Sequence, residues 1–227
     1  NRTFTVNGTN ATIAPVITGV ISGTGPSGQS ALTKTGVGML VLAATNTYDG
    51  PTYLNGGTLS VSYLADGGLP SGIGASPSFY ANLAFNGGRL KYTGADLTID
   101  RSFHIAGTGG GWIDVPSNTL TMTGIFTNTA AGAFTKIGNG TLKLTANSGL
   151  LNGVNAYGGS LAFTGTNTFG AMNAETNGNL TFGSDSATRA GVITVKTGSV
   201  LLTNANVWVG NNAANIGSAA GDSGLIT

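Results

Sequence analysis

The sequence predicts an all-β fold, a parallel β-helix in which each rung, one complete turn of the coil, takes about 19–20 residues. A glycine followed by a small or polar residue and then an aliphatic one recurs at Gly140, Gly159, Gly178 and Gly198. These glycines are 19, 19 and 20 residues apart, and a repeat of about this length indicates stacked structural units. No segment carries a capped apolar stripe with helical periodicity, so helix content is predicted to be close to zero.

Short strands are predicted where apolar and polar residues alternate over three to five positions between turn-forming residues. In chain order they cover 40–42, 59–61, 83–85, 90–92, 97–99, 113–115, 120–122, 142–144, 161–163 and 193–195. Like segments return about one rung later rather than after a two-residue turn. Coiling therefore explains them better than a sandwich of hairpins.

Stacking of equivalent positions predicts an interior aliphatic column formed by Leu142, Leu161, Leu180 and Val200. The residue before each aliphatic, such as Ser160, is then expected to face outward. The preceding glycine is expected to adopt the positive φ of a tight turn. Successive rungs are expected about 4.8 Å apart, the spacing of hydrogen-bonded strands.

Two longer segments also return along the chain. LTKTGVGML, from residue 32, reappears from residue 134 as FTKIGNGTL, and LVLAATNTY, from residue 40, reappears from residue 161 as LAFTGTNTF. The offsets, 102 and 121 residues, differ by one rung.

We therefore predict one solenoid domain over residues 1–227, in which residues 32–61 and 134–163 are drifted equivalents. The paired asparagines Asn46 and Asn167 are predicted at turns, where side-chain amides bond the backbone.

Composition narrows the functional classes. Charged residues make up 7% of the chain, 40% of residues are hydrophobic, 39 are glycine and the formal net charge is +1. Such hydrophobicity with so little net charge argues against disorder, and scattered basic residues argue against nucleic-acid binding. The absence of cysteine excludes disulfides and thiolate metal sites, and it is typical of secreted bacterial surface proteins. No stretch approaches the ~20 apolar residues of a membrane-spanning helix.

A family resemblance is carried by TKTGVGMLVL at 33–42, NTYDG at 46–50 and GTL at 57–59. These segments resemble the autotransporter-associated β-strand repeat of bacterial autotransporter passenger domains, with Met39 and Ala44 as departures from the usual residues. DRSF at 100–103, GGGWIDV at 109–115 and LTMTG at 120–124 look like the segment that commonly joins two such repeats. The resemblance implies a right-handed parallel β-helix outside a Gram-negative cell or released from it. It implies a scaffold without catalytic residues.

The sequence contains repeats but no recognisable set of catalytic residues, and this combination predicts a structural function. The chain is expected to be an extracellular, non-catalytic stalk or fibre segment that contributes to adhesion or to extracellular matrix. No catalytic, cofactor-binding or metal-binding residues are predicted. The expected partners are neighbouring rungs or further copies stacked end to end, together with a host or matrix glycan or protein. End-to-end stacking is expected because neither end of the chain looks like a polar cap. Residues 12–21 and 215–227 together contain one charged side chain.

Two alternatives belong to other functional classes. A carbohydrate-active β-helix enzyme would use Asp96, Asp100 and Asp114. Because the spacing between Asp96 and Asp114 is close to one rung, stacking would place their carboxylates about 5 Å from each other, the separation in a retaining glycosidase. A glycan-binding or cell-binding adhesin would make its contacts through the loops around 67–78 and 107–112.

The remaining candidate residues have structural interpretations. His104 is the only histidine, so no second histidine can complete a metal triad, and it is expected at an exposed or turn position. GGWID at 110–114 retains part of a calcium-binding nonapeptide but does not repeat in tandem, so no structural calcium is predicted. The aromatic residues considered for a sugar-stacking strip, with packing inside the coil as the alternative, are Tyr48, Tyr53, Tyr63, Tyr80, Tyr92 and Trp112.

Overall fold

The computed structural model describes residues 1–8, 14–23, 30–147, 150–183, 187–195, 199–202, 206–209 and 214–215. Its strands are β1 (Arg2–Thr5), β2 (Val16–Ile17), β3 (Leu32–Thr35), β4 (Met39–Leu42), β5 (Thr52–Leu54), β6 (Gly57–Val61), β7 (Leu83–Phe85), β8 (Gly88–Tyr92), β9 (Leu97–Ile99), β10 (Phe103–Ile105), β11 (Gly111–Asp114), β12 (Thr119–Met122), β13 (Phe126–Asn128), β14 (Phe134–Ile137), β15 (Thr141–Leu144), β16 (Leu150–Phe163), β17 (Thr166–Phe182), β18 (Ala187–Val195), β19 (Ser199–Leu202), β20 (Asn206–Val209) and β21 (Ala214–Asn215). One 3-10 turn, Tyr80–Asn82, is the only helical element in this described part of the chain. The predicted near absence of helix is confirmed.

The strands stack into two sheets. The first has the order β1-β3-β5-β7-β10-β13, and the main path of the second, 15-stranded sheet is β2-β4-β6-β8-β11-β14-β16-β17-β18-β20-β21. A branch β9-β12-β15 joins the second sheet at β16, and β19 pairs with β17. Among the named strands of the described residues, only β20 and β21 pair antiparallel. Parallel pairing of strands one rung apart confirms the predicted β-solenoid.

From β7 onward each rung supplies three strands, which define three faces of the coil. Face A contains β7, β10 and β13, face B contains β8, β11 and β14, and face C contains β9, β12 and β15. The long strand β16 spans two faces, since residues 154–157 pair with β14 and residues 160–163 pair with β15. By their pairing, β1, β3 and β5 also lie on face A, and β2, β4 and β6 on face B.

The predicted rung length holds in the C-terminal half of the coil. Leu142 pairs with Leu161, Leu161 with Leu180 and Leu180 with Val200, which reproduces the spacing of the recurring glycine motif. The step from β4 to β6 is equally short, since Met39 pairs with Thr58, but the rungs that follow are longer, since Gly57 pairs with Gly88 and Gly88 with Gly111. The longer step from β6 to β8 accommodates the loop of residues 62–82 between β6 and β7, of which Leu64 and Ile73 pack into the hydrophobic core.

The predicted aliphatic column is also confirmed. The side chains of Leu142, Leu161 and Leu180 are fully buried, Val200 is 4% exposed, and Leu120 of β12 extends the same column. The neighbouring Ser160, expected to face outward, is partly exposed. Each buried aliphatic side chain contributes about 1.5–3 kcal/mol through removal from water, so the column is a main source of stability.

Aromatic rings form a second interior column. The rings of Phe103 and Phe126 stack with centroids 6.0 Å apart, and those of Phe163 and Phe182 stack with centroids 5.7 Å apart. The rings of Phe126 and Phe163 join the two pairs at 6.2 Å. The hydrophobic core is therefore continuous between the rungs that these rings connect.

The two repeat copies lie on different faces of the coil. In residues 32–61 the first strand, β3, is on face A and the second, β4, on face B. In residues 134–163 the corresponding β14 and β15 are on faces B and C. Sequence-equivalent residues such as Leu59 and Leu161 consequently belong to different interior columns.

Candidate functional site

Each repeat copy contains one fully buried lysine, Lys34 or Lys136, that connects two rungs. The Nζ atom of Lys34 donates hydrogen bonds to the carbonyl oxygens of Thr35 at 2.7 Å and Gly36 at 2.9 Å on its own rung. It also donates to the carbonyl oxygen of Gly56, one rung further on, at 3.2 Å. We call this arrangement a lysine clip, because one ammonium group binds the corners of two successive rungs.

Lys136 forms the second lysine clip. Its Nζ donates to the carbonyl oxygens of Gly138 and Gly140 on its own rung and to that of Gly158 on the next rung at 2.8 Å. An ammonium group has three N–H donors, so three acceptors satisfy it fully. The repetition of TKTG as TKIG was visible in the sequence, but the role of the lysine was not predicted.

Burial lowers the pKa of Lys136 to about 8, and the nearby carboxylate of Asp114 acts in the opposite direction. Burial also lowers the pKa of Lys34. At neutral pH Lys136 is therefore still mainly an ammonium group, and in each clip the three carbonyl oxygens compensate part of the hydration that the buried side chain loses.

This pKa shift predicts that stability rises with pH between about 8 and 9.5. In that window the unfolded chain, with an ordinary lysine pKa of about 10.4, binds more protons than the folded chain, so the free energy of unfolding increases with pH. The slope from Lys136 is at most about 1.4 kcal/mol per pH unit. Above pH 10 the pKa of Tyr48, raised by burial, produces the opposite trend.

Denaturant unfolding at pH 7.5, 8.5 and 9.5 measures the slope. Lys136→Met should reduce it, and an equal slope in the variant would contradict the assignment.

The glycine of the recurring motif has two different roles. Gly159 has φ +60°, as predicted, and a Cβ there would also lie 2.2 Å from the carbonyl oxygen of Gly140 and 2.5 Å from Nζ of Lys136. For Gly140 and Gly178 the predicted positive φ is wrong. At Gly178 the left-handed residue is the preceding Asn177, with φ +60°. Glycine is needed at Gly140 and Gly178 because a Cβ would overlap backbone carbonyl oxygens of the previous rung.

We expect Gly159→Ala to destabilise the protein by clearly more than Gly87→Ala. Both positions have positive φ, +60° and +88°, but a Cβ at Gly87 has no neighbour closer than 3.9 Å. Left-handed backbone costs an alanine roughly 1–2 kcal/mol in either variant, and only Gly159→Ala also overlaps the carbonyl oxygen of Gly140 and the ammonium of Lys136. Thermal unfolding of the two variants tests this, and equal losses would contradict the close packing of Gly159 against the previous rung and Lys136.

The two predicted turn asparagines do bond the backbone. Asn46 is buried, its Oδ1 accepts from the backbone N–H of Ile21 at 2.8 Å, and its Nδ2 donates to the carbonyl oxygen of Gly72 at 3.0 Å. Asn167 lies near the start of β17 and donates from Nδ2 to the carbonyl oxygen of Gly165 at 3.1 Å. Asn46 thus links its own turn to the distant loop that contains Gly72.

Asp96 and Asp114 do not stack, as the alternative of a glycosidase would require. The rung in this region is longer than the spacing between the two aspartates, so Asp114 aligns with Lys91. The Oδ1 atom of Asp96 accepts from the backbone N–H of Thr119 at 2.7 Å. The carboxylates therefore occupy different positions around the coil and do not form a glycosidase pair.

Asp100 has a structural role. Its Oδ1 accepts from the backbone N–H of Gly67 at 2.6 Å, and its own backbone N–H donates to Oδ1 of Asp66 at 2.9 Å. Its carbonyl oxygen accepts from the hydroxyl of Ser78. These contacts attach both ends of the loop 67–78 to the coil.

Arg101 holds the middle of the same loop and was not identified from the sequence. Its side chain is 2% exposed. The guanidinium donates to the carbonyl oxygens of Ala65 at 2.9 Å, Ser76 at 2.7 Å, Gly74 at 2.8 Å and Leu69 at 3.1 Å. The loop proposed as an adhesive contact is thus organised around a buried cation.

The position predicted for His104 is wrong. The residue lies inside strand β10 and is 8% exposed, because the 3-10 turn that starts at Tyr80 covers it. The Nδ1 atom of His104 is 3.0 Å from the carbonyl oxygen of Tyr80, and the two rings meet edge to face at 5.5 Å. His104 is therefore a packed residue of face A.

The aromatic side chains considered for a sugar-stacking strip are dispersed. Tyr48 and Tyr92 are buried, and the hydroxyl of Tyr92 donates to the carbonyl oxygen of Ala95 at 2.7 Å. Tyr53, on face A, and Tyr63, in the loop after β6, are 36% and 50% exposed. Trp112 stands apart from both, on face B.

The loop around 107–112 and the partial calcium motif form a tight corner. Gly110 has φ +73°, and Gly111 begins β11. In the part of the chain that the structure describes, no three His, Cys, Asp or Glu side chains are grouped so that they could hold a metal ion. Those residues likewise include no helix with the length and apolar character needed to cross a membrane.

Comparisons with known proteins agree with this architecture. Residues 32–61 match the family model described as Passenger-associated-transport-repeat, and these residues coincide with the first repeat copy. The recognition of an autotransporter passenger repeat in the sequence is therefore confirmed.

A much longer curated protein is similar to part of this chain. Over 132 residues the chain is 44% identical to the protein "Adhesin BmaC autotransporter" of Brucella suis biovar 1 (strain 1330). The aligned part is 57% of this chain and 4% of the relative, so the chain spans a small fraction of the relative's length. No solved structure matches the chain.

Proposed function

We propose that the chain is a rigid, non-catalytic segment of an autotransporter passenger, displayed on a bacterial surface or secreted, that serves in adhesion. The observation that carries this proposal is the repeat at residues 32–61, which is both the segment matched by the passenger model and a unit of the coil. The curated relative, which is named an adhesin, supports the adhesive role.

The use of the buried polar residues supports a scaffold rather than an enzyme. Lys34, Arg101 and Lys136 donate mainly to backbone carbonyl oxygens, and Asp96 and Asp100 accept from backbone N–H groups. These side chains hold loops and rungs in place. Such bonds resist shear between rungs, which suits a segment that extends other parts of a protein from a cell.

The adhesive role is tested by coating latex beads with the purified chain and counting their attachment to cultured epithelial cells. Beads coated with serum albumin are the control. We expect attachment several-fold above the control, and attachment equal to it would contradict the proposal. Hydrolysis of a panel of neutral and acidic polysaccharides tests the non-catalytic assignment. Activity that is lost when Asp96, Asp100 and Asp114 are all changed to Asn would overturn it.

We further propose that rungs of neighbouring molecules stack end to end. Strand β1 pairs with β3, and no strand of the described residues pairs with its other edge. An open edge presents unpaired N–H and C=O groups that accept another strand, and a head-to-tail contact of this kind propagates as a fibre. Sedimentation and electron microscopy of the purified chain at micromolar concentration test this, and a stable monomer without filaments would contradict it.

A further inference from the structure

We propose that face B binds an acidic polysaccharide, a polymer of uronic acids, through a basic–aromatic patch formed by Arg89, Lys91 and Trp112. This inference rests on the proposed adhesive function and deepens it by naming a class of ligand. The three side chains are partly exposed and lie on two adjacent strands, β8 and β11.

The register of β8 and β11 brings these residues together. Arg89 aligns with Trp112, and Lys91 aligns with Asp114. Aligned residues on neighbouring strands are about 4.8 Å apart, and residues two apart on one strand are separated by about 7 Å along it. Because Leu90 and Ile113, between them, are fully buried, the flanking side chains point outward. Arg89, Lys91 and Trp112 are partly exposed and form a compact group, whereas the neighbouring Asp114 is only 8% exposed.

The two cations of the patch differ from the buried cations of the molecule. The ammonium groups of Lys34 and Lys136 and the guanidinium of Arg101 are saturated with protein acceptors. Within the described residues no hydrogen-bond or ion-pair partner is present for the side chain of Arg89 or Lys91. Both side chains are partly exposed, so their charged groups are accessible to a ligand.

An acidic sugar chain matches this chemistry. Guanidinium and ammonium groups form charge-assisted hydrogen bonds with carboxylates, and an indole ring offers a flat apolar surface to the face of a sugar. Thr58, which aligns with Arg89 on the neighbouring strand β6, is partly exposed and supplies a hydroxyl beside the guanidinium. Two cations with Asp114 beside them are too few to hold a nucleic-acid backbone, which requires many phosphate contacts. A polymer of uronic acids, which carries one carboxylate on each sugar, matches two cations better than a nucleic acid does.

The test is binding of the purified chain to oligogalacturonate of about ten sugars, measured by isothermal titration calorimetry, with neutral dextran as the comparison. The double variant Arg89→Gln/Lys91→Gln and the single variant Trp112→Leu should each weaken binding about tenfold or more, as loss of charge-assisted or stacking contacts does. Lys143→Gln is the matched control, because Lys143 is an exposed lysine on face C. It should change the affinity by less than about twofold. All variants should keep the wild-type melting temperature.

The inference is overturned if the wild-type chain does not bind oligogalacturonate, or if Lys143→Gln weakens binding as much as the double variant. Equal binding of a DNA oligonucleotide would also overturn it, because the interaction would then be unspecific attraction of anions. If the beads attach to cells but the chain does not bind the oligosaccharide, the adhesive function is supported and only the proposed ligand class is rejected. Beads that fail to attach while the oligosaccharide binds would reject the adhesive function alone.

Discussion

Leu161→Asp is expected to lower the free energy of unfolding by several kcal/mol, whereas Ser160→Asp should lower it by less than about 1 kcal/mol. Leu161 has no exposed surface and stacks between Leu142 and Leu180 on adjacent rungs. A carboxylate at this position would be removed from water without a cation or donor to compensate for its lost hydration.

Ser160 is the matched control for this prediction. Its side chain is partly exposed, and its hydroxyl contacts that of Thr181 at 3.2 Å. A carboxylate placed there keeps its hydration and loses one hydroxyl contact. Urea unfolding followed by circular dichroism measures both variants. If both unfolded at the same urea concentration, the inward and outward positions of β16 would be assigned to the wrong faces.

Arg101→Leu is expected to destabilise the protein by roughly 3–5 kcal/mol, the usual cost of breaking a buried charged network. Leucine fills part of the space but donates no hydrogen bond. The carbonyl oxygens of Ala65, Leu69, Gly74 and Ser76 would therefore lose their donor inside the folded loop. Each unsatisfied buried acceptor costs about 1–3 kcal/mol unless the loop opens to water.

Opening of the loop is the expected way for the variant to avoid this cost. Limited proteolysis should then cut Arg101→Leu within residues 62–78 under conditions that leave the wild-type chain intact. Arg89→Leu is the control, because it removes a guanidinium from the partly exposed surface of face B. If the loop of Arg101→Leu resisted the protease as well as the wild-type loop does, other contacts, such as those of Asp100, would be holding it in place.

Several features of the molecule follow from the sequence by itself. The spacing of Gly140, Gly159 and Gly178 predicted the column of buried aliphatic residues, because a constant rung length puts each residue above its equivalent. The alternation of apolar and polar residues predicted short strands with one buried side, since a strand places successive side chains on opposite faces. The passenger repeat at 32–61 was recognisable for the same reason, because its residues are local in the chain.

Only the tertiary structure decided how many residues separate stacked positions elsewhere. The enzyme alternative required Asp96 and Asp114 to stack, but the rung there is longer than their spacing in the sequence, and Asp114 aligns with Lys91 instead. The same insertions place the second repeat copy one face further around the coil, so Leu59 and Leu161 lie in different columns. A loop of any length can close a rung at little extra entropic cost, so its length in residues does not reveal where the chain rejoins the stack.

The lysine clips and the contacts of Arg101 could not be predicted from the sequence, because they also depend on the register between rungs. A lysine in a polar strand reads as an exposed residue, since charged side chains are seldom fully buried. Lys34 and Lys136 are buried because the corners of two rungs together present three carbonyl oxygens to one ammonium group. Those oxygens belong to residues up to 22 positions away and converge only when the coil has formed. The local pattern thus determined the strands and their inward residues, and the register between rungs decided which polar groups meet.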